Sequence, residues 1–215
     1  MPGTVAIIGA GPLGRWLALS AARAGFRVLL EDVMPLNLRH AQEYIRQQLG
    51  PASLGTAPLS QAAAESPGLS TPLRSVQDDC QPTRPAQDES LGGVAFVSTI
   101  EDAVREADLV IDCVPDELES KLEILWLLDR MAPPRTVLAT PTRRLSIADL
   151  ANCTYRPEKV IAIAAEASSL AGRPSAEDEI LLRTTPATAA ETVAMLRSFW
   201  ERLGFAPRFE LGRPE

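Results

Sequence analysis

The stretch "TVAIIGAGPLGRWLALSAARAGFRVLLED", Thr4 to Asp32, decides the fold. "TVAII" (Thr4 to Ile8) is a short apolar run rich in β-branched residues and closed by glycine, the pattern of a strand buried on both faces. "GAGPLG" (Gly9 to Gly14) follows directly. Beyond it Leu13, Leu17, Ala21 and Ala24 recur at helical spacing, and Gly25 stands where a helix would end. "RVLLED" (Arg27 to Asp32) reads as a second buried strand. Strand, glycine turn, helix and strand within 29 residues make a βαβ unit, which implies a parallel pair.

Working outward, Asn37 to Leu49 has helical periodicity. From Gly50 to Gly93 the periodicity stops. Pro51, Pro58, Pro67, Pro72, Pro82 and Pro85 punctuate this stretch, which reads as a long flexible insertion with at most a short helix near Ser60 to Glu65. Strands are expected again at "VAFVS", "DLVIDCVP", "TVLAT", "KVIAIAA", "EILLRT" and "APRFEL". Helices are expected between them, including "IEDAVREA" after Ser98 or Thr99, and Asp116 to Met131 with Leu118, Leu122 and Leu125 inward. Ser146 with Asp149, and Thr188 with Glu191, have the spacing of capping boxes. The second of these opens a helix carrying Ala189, Val193, Leu196, Trp200 and Leu203, ended by Gly204. The expected fold is therefore α/β: a Rossmann-type doubly wound, mostly parallel sheet, one domain over residues 1–215 with 50–93 as an insertion.

In this context each glycine of the motif has a use. Gly9 permits the tight turn, Gly11 lets a pyrophosphate approach the backbone, and Gly14 lets the helix pack on the strand. Pro12 and Leu13 open the helix whose free N–H groups face the phosphates. A carboxylate should follow the second strand to take ribose hydroxyls, and "LLED" supplies Asp32 with Glu31 beside it. Two acids there disfavour a 2′-phosphate, so NAD is expected over NADP. FAD shares the fingerprint and stays open.

Composition narrows the class further. The chain has 215 residues, 46% of them hydrophobic and 23% charged, which suits a globular domain. A net charge of −7 with no basic cluster argues against nucleic acid as the partner. No apolar run reaches membrane-spanning length, and the glycine motif at residue 9 leaves no room for a leader, so a cytoplasmic location is expected. The three cysteines, Cys80, Cys113 and Cys153, are far apart and lack metal-ligand spacing, so free thiols and no metal site are expected.

"VAIIGAGPLG", "VLLEDVMP", "ADLVIDCVPDELESKLEIL", "MAPPRTVLAT", "LSIADLA" and "RPEKVIAI" occur in an order that resembles the NAD-binding domain of 3-hydroxyacyl-CoA dehydrogenases. The resemblance covers nearly the whole chain outside 50–93. It implies NAD as cofactor, with Gly9, Gly11 and Gly14 at the pyrophosphate and Asp32 at the adenosine ribose. It also implies Asp112 near the nicotinamide end, and Lys121 as a lysine near the cofactor. An acyl-CoA or another acidic small molecule would be the second partner.

The catalytic positions depart from the pattern. Where the family has Asn-Thr-Ser-Ser, this chain has Pro141, Thr142, Arg143 and Arg144. Where the family has its proton-accepting histidine, this chain has Ala164. The glutamate that orients that histidine falls near Leu181. The only histidine, His40, belongs to the helix after the second strand, on the adenosine side. Glu166 is the nearest residue able to replace the base, and Arg143 and Arg144 suit a carboxylate or phosphate. Three readings follow: a binding or sensing module, an oxidoreductase with altered catalytic groups, and a structural subunit. The family's second, helical domain is not matched here. A cleft side with Leu125, Trp126 and Leu128 is expected to be exposed, favouring a homodimer through some surface of this domain.

Overall fold

The computed structural model describes residues 3–49, 91–164 and 179–212. The insertion expected over 50–93, including its short helix, lies outside them except for its last three residues, and Glu166 lies outside them altogether. In chain order the elements are β1 (Thr4–Ile8), α1 (Pro12–Arg23), β2 (Arg27–Glu31), α2 (Pro35–Leu49), β3 (Val94–Val97), α3 (Ile100–Val104) and β4 (Leu109–Asp112). They continue with α4 (Leu118–Met131), β5 (Val137–Pro141), α5 (Ile147–Asn152), β6 (Val160–Ile163), β7 (Glu179–Thr184), α6 (Ala190–Leu203) and β8 (Ala206–Leu211).

The strands form one sheet in the order β3-β2-β1-β4-β5-β6-β7-β8. Every neighbouring pair is parallel except β6–β7. The order reverses direction between β1 and β4, and at such a switch point the strand ends open a crevice. The apolar strand runs are buried on both faces. Val5 and Ile7 face a core shared with Leu17, Ala21, Leu196 and Trp200, so α1 and α6 cover that side. Ala6 and Ile8 face a second core with Val104, Leu125, Leu128 and Leu150, so α3, α4 and α5 cover the other.

An aromatic chain locks α6 onto α1. Phe26, Phe199, Trp200, Phe205 and Trp16 stack in sequence with centroid separations of 5.2 to 6.1 Å. Arg202 lies over the Phe26 ring and donates to the Ala24 carbonyl at the end of α1. A second lock holds the end of α4. The buried Arg156 guanidinium donates to the Asp129 carboxylate, 2.6 Å from Nε, and to the carbonyls of Asp129, Ala132 and Pro133. Asp129 also accepts from the Tyr155 N–H at 2.8 Å.

Three local expectations are corrected. Leu118 does not point inward: it is exposed at the start of α4, where Ile124, Leu125 and Leu128 supply the buried face. For the same reason Leu125 and Leu128 do not line an open cleft; only Trp126 is exposed, with Arg130 stacked on its ring. Thr188 and Glu191 form no capping box. The cap of α6 is Ala189, while the Thr188 hydroxyl takes the Thr185 N–H and Glu191 pairs with Lys159 at 2.6 Å. The box at Ser146 is half formed, its hydroxyl accepting from Asp149 N. Among the described residues no helix is long and apolar enough to cross a membrane.

Candidate functional site

The C-terminal ends of β1, β2 and β4 converge on the glycine turn. Gly9 has φ +101° and donates to the Glu31 carbonyl at 2.8 Å, while Cys113 N donates to the Ile8 carbonyl. A side chain at Gly14 would begin 1.8 Å from the Gly9 carbonyl oxygen, so α1 can pack this closely only on glycine. At Gly11 a Cβ would meet nothing within 4 Å. That open space above the turn is what a pyrophosphate approaching the backbone requires. The first closing bond of α1 is donated by Arg15 to the Gly11 carbonyl, which leaves the Leu13 and Gly14 N–H groups at the helix end. Pro12 is the exposed first residue, with no N–H to lose. The turn therefore fits a dinucleotide phosphate pair.

Beside the turn lies a cleft of about 390 Å³, lined by Ile8, Glu31, Asp32, Val33, Ile100 and Ile124 among others. Its walls are mostly apolar and its polar groups are few, as a binding cleft for a heteroaromatic ring requires. Asp32, expected at the ribose, is at the mouth. Its carboxylate already takes several hydrogen bonds from the chain. Oδ2 accepts from Ala10 N at 2.8 Å and Oδ1 from Met34 N at 2.8 Å, and the Asn37 amide donates to both oxygens at 3.1 Å. Asp32 thus holds the glycine turn and the start of α2 together.

Glu31 differs. Its residue is 1% exposed and its carboxyl has no hydrogen bond among the described residues. Burial, and secondarily the Asp32 charge, push this carboxyl up from 4.5 to about 7. The sequence signal for it was available: Leu29 and Glu31 share a strand face, so an acid occupies an inward position.

Asp112 and Lys121 do not reach the surface of the cradle. Both side chains are fully buried and paired at 2.5 Å, Asp112 at the end of β4 and Lys121 on α4. Burial pushes the Asp112 carboxyl up; the Lys121 ammonium, the Thr140 hydroxyl and the Val114 N–H pull it the other way. The pair fixes the start of α4 behind the cleft. Lys121, expected near the cofactor, lies inside the layer, and an i to i+9 ion pair there cannot be told from a surface lysine by periodicity. His40 is exposed on α2. Cys113 lines the cleft as a free thiol, raised well above its usual range first by burial. Among the described residues no group of three or more His, Cys, Asp or Glu side chains is placed to hold a metal ion.

The far side of the same edge carries the remaining candidates. Ala164, just past β6, donates its N–H to the Leu181 carbonyl at 2.8 Å, so the two positions face each other across the antiparallel pair. Neither has an ionisable side chain. Thr142 is buried and its hydroxyl accepts from Leu145 N, closing the turn after β5. Arg143 and Arg144 are exposed on that turn. The turn is tied down from two sides, Arg143 N donating to Asp116 at 3.3 Å and the Arg143 carbonyl accepting from Arg183 at 3.0 Å. Arg183, a residue of β7 that sequence reasoning missed, brings a third guanidinium to this edge.

The sequence model of the "3-hydroxyacyl-CoA dehydrogenase, NAD binding domain" matches residues 4–164. Among curated proteins, a probable 3-hydroxybutyryl-CoA dehydrogenase of Bacillus subtilis is 29% identical over 157 residues, 73% of this chain and 46% of that protein. The 5-formyl-3-hydroxy-2-methylpyridine 4-carboxylate 5-dehydrogenase of Mesorhizobium japonicum is 25% identical over 203 residues, 94% of this chain and 55% of that protein. The crystal structure of 3-hydroxybutyryl-CoA dehydrogenase from Escherichia coli superposes with a TM-score of 0.73 at 25% identity, over all of this chain and 39% of that one. The chain spans about half the length of these curated relatives.

Proposed function

The chain belongs to the 3-hydroxyacyl-CoA dehydrogenase family through its NAD-binding domain, and from that premise we propose that it binds NAD(H) at the glycine turn without the histidine-based proton transfer of that family. One observation carries the reading. Across the strand pair where a base and the acid orienting it would face each other stand Ala164 and Leu181, joined by a backbone hydrogen bond. A general base must hold a titratable group within hydrogen-bond reach of the substrate proton, and neither position has one. NAD supplies hydride transfer when bound. What this chain contributes is a phosphate-binding turn, an apolar cleft and two carboxyls at its floor and mouth. The protein then acts as a dinucleotide-binding or sensing module.

A second reading is an NAD-dependent oxidoreductase acting on an acidic substrate, an acyl-CoA or a small carboxylate. It is favoured by the turn at Arg143 and Arg144 and by Arg183 beneath it, since guanidinium groups match carboxylate and phosphate geometry. The Mesorhizobium relative, named for a pyridine carboxylate substrate, supports the same direction.

Fluorescence of NADH mixed with the protein, followed by addition of acetoacetyl-CoA, separates the two. The first reading expects a binding signal that stays constant after the second addition. Steady consumption of NADH would sink it and favour the second reading, under which the Arg143→Ala, Arg144→Ala double variant should lose turnover while keeping NADH affinity.

A further inference from the structure

The last strand of the sheet, β8, pairs with β7 on one side, and among the described residues no strand pairs with its other side. The parallel ladder fixes which backbone groups that open side carries. Gly212 N donates to the Thr184 carbonyl at 2.8 Å, and the Glu210 carbonyl accepts from the Thr184 hydroxyl. The even-numbered residues therefore turn their N–H and C=O groups toward β7. These groups alternate along a strand, so Pro207, Phe209 and Leu211 turn theirs outward. Pro207 has no N–H, and an open edge is where a sheet tolerates proline.

Exposed edges are commonly blunted by charge. Here the two charges have opposite sign. Arg208 and Glu210 share one face of β8, 2.9 Å apart, with side chains 61% and 44% exposed. Pro207, Phe209 and Leu211 share the other face, where Arg197 stacks on the Phe209 ring and Leu211 is exposed. Under a two-fold axis through Phe209, "RFE" is its own complement. An antiparallel second copy then brings its Glu210 opposite Arg208 and its Arg208 opposite Glu210. In that register the two Phe209 residues exchange both backbone bonds, and the Leu211 N–H of each copy meets the Pro207 carbonyl of the other. Sliding the copies by two residues would set Arg208 against Arg208 or Glu210 against Glu210, and like charges directly opposite are destabilising. The charges that would repel a mismatched strand thus select one register with a second copy of this chain.

We propose that β8 is the interface of a two-fold dimer, in which a second copy extends the sheet edge to edge through the pairs Arg208–Glu210 and Phe209–Phe209.

Sedimentation velocity over a range of protein concentrations tests this with wild type, Arg208→Glu, Glu210→Arg and the double variant carrying both changes. Both side chains are exposed, so the substitutions leave the core intact. Wild type is expected to pass from the mass of one chain, 23.1 kDa, to that of two as concentration rises. Each single variant sets like charges against each other at both cross-strand pairs, and should raise the dimer dissociation constant about tenfold or more. The double variant restores opposite signs and should associate like wild type. So should an equimolar mixture of the two single variants, since one supplies two acids and the other two arginines. Recovery in the mixture also excludes misfolding as the cause of the loss.

Wild type that keeps the mass of one chain throughout overturns the proposal. So does a dimer that both single variants leave unchanged, or a mixture that recovers nothing. If the variants fail to fold, amide hydrogen exchange of wild type decides alone. The Phe209 and Leu211 N–H groups should exchange more slowly as protein concentration rises, and a rate independent of concentration overturns the proposal.

Discussion

At the scale of single residues, Glu31 has a consequence for stability that is independent of any ligand. Its folded value, about 7, lies above the ordinary 4.5 because burial disfavours the charge. The folded state therefore keeps a proton through the window between those two values that the unfolded chain gives up. Stability falls as pH rises through that window, and above about 7 the full cost of the buried charge is present. Glu31→Gln removes the titrating group. Its melting temperature should match wild type near pH 4.5 and exceed it by several degrees above pH 7, measured by thermal unfolding across that range. A constant difference at all pH values would mean that the carboxyl does not carry the shift.

The two neighbouring glycines separate fold from function in the same way. Gly11 has φ −64°, an ordinary conformation, and its Cβ would meet nothing. Gly11→Ala should leave the melting temperature unchanged or slightly raised, because it only restricts the unfolded chain. Its NADH affinity should fall about tenfold or more, since the methyl group stands where the pyrophosphate approaches. Gly14→Ala meets the Gly9 carbonyl at 1.8 Å and should cost about 1–3 kcal/mol in chemical denaturation with no ligand present.

At the scale of elements, the clamp at Arg156 shows how a loop can set the position of a helix. The end of α4 has carbonyl oxygens with no partner inside the helix. Arg156 reaches those of Asp129 and Ala132, that of Pro133 beyond them, and the Asp129 carboxylate as well. Truncation to alanine leaves the Asp129 charge mostly buried, so Arg156→Ala should lose about 3–5 kcal/mol in urea unfolding. A loss under about 1 kcal/mol would mean that water replaces the guanidinium freely. Nothing in "RPEK" distinguishes this arginine from a surface one; only the burial of Asp129 27 residues earlier does so.

Legibility followed the same division by scale. The strands β1, β2, β4, β5 and β6 were readable from their apolar runs because a strand covered on both faces has no polar alternation to obscure it. The glycine turn was readable because its spacing is fixed by backbone approach. The antiparallel β6–β7 step was not, since an apolar run specifies burial and leaves direction open. Nor were the partners of Lys121, Asp32 and Leu118: helical spacing fixes a face, while the neighbour that covers it comes from elsewhere in the chain. Ala164 and Leu181 were legible as replaced positions, and their direct apposition needed the register of the sheet.

At the scale of the whole molecule, the cofactor cradle is assembled from both ends of the chain. Its glycine turn and α1 lie within the first 23 residues. The aromatic cover of α1, through Phe199, Trp200 and Phe205, arrives only with α6, and the Arg202 bond to Ala24 spans 178 positions. Closing so wide a loop must precede the contacts that reward it, which slows folding. During synthesis, then, α1 waits for its aromatic cover until α6 has followed it from the ribosome. The cradle is therefore completed long after its glycine turn is translated, and through that interval the nascent chain offers apolar surface to other proteins.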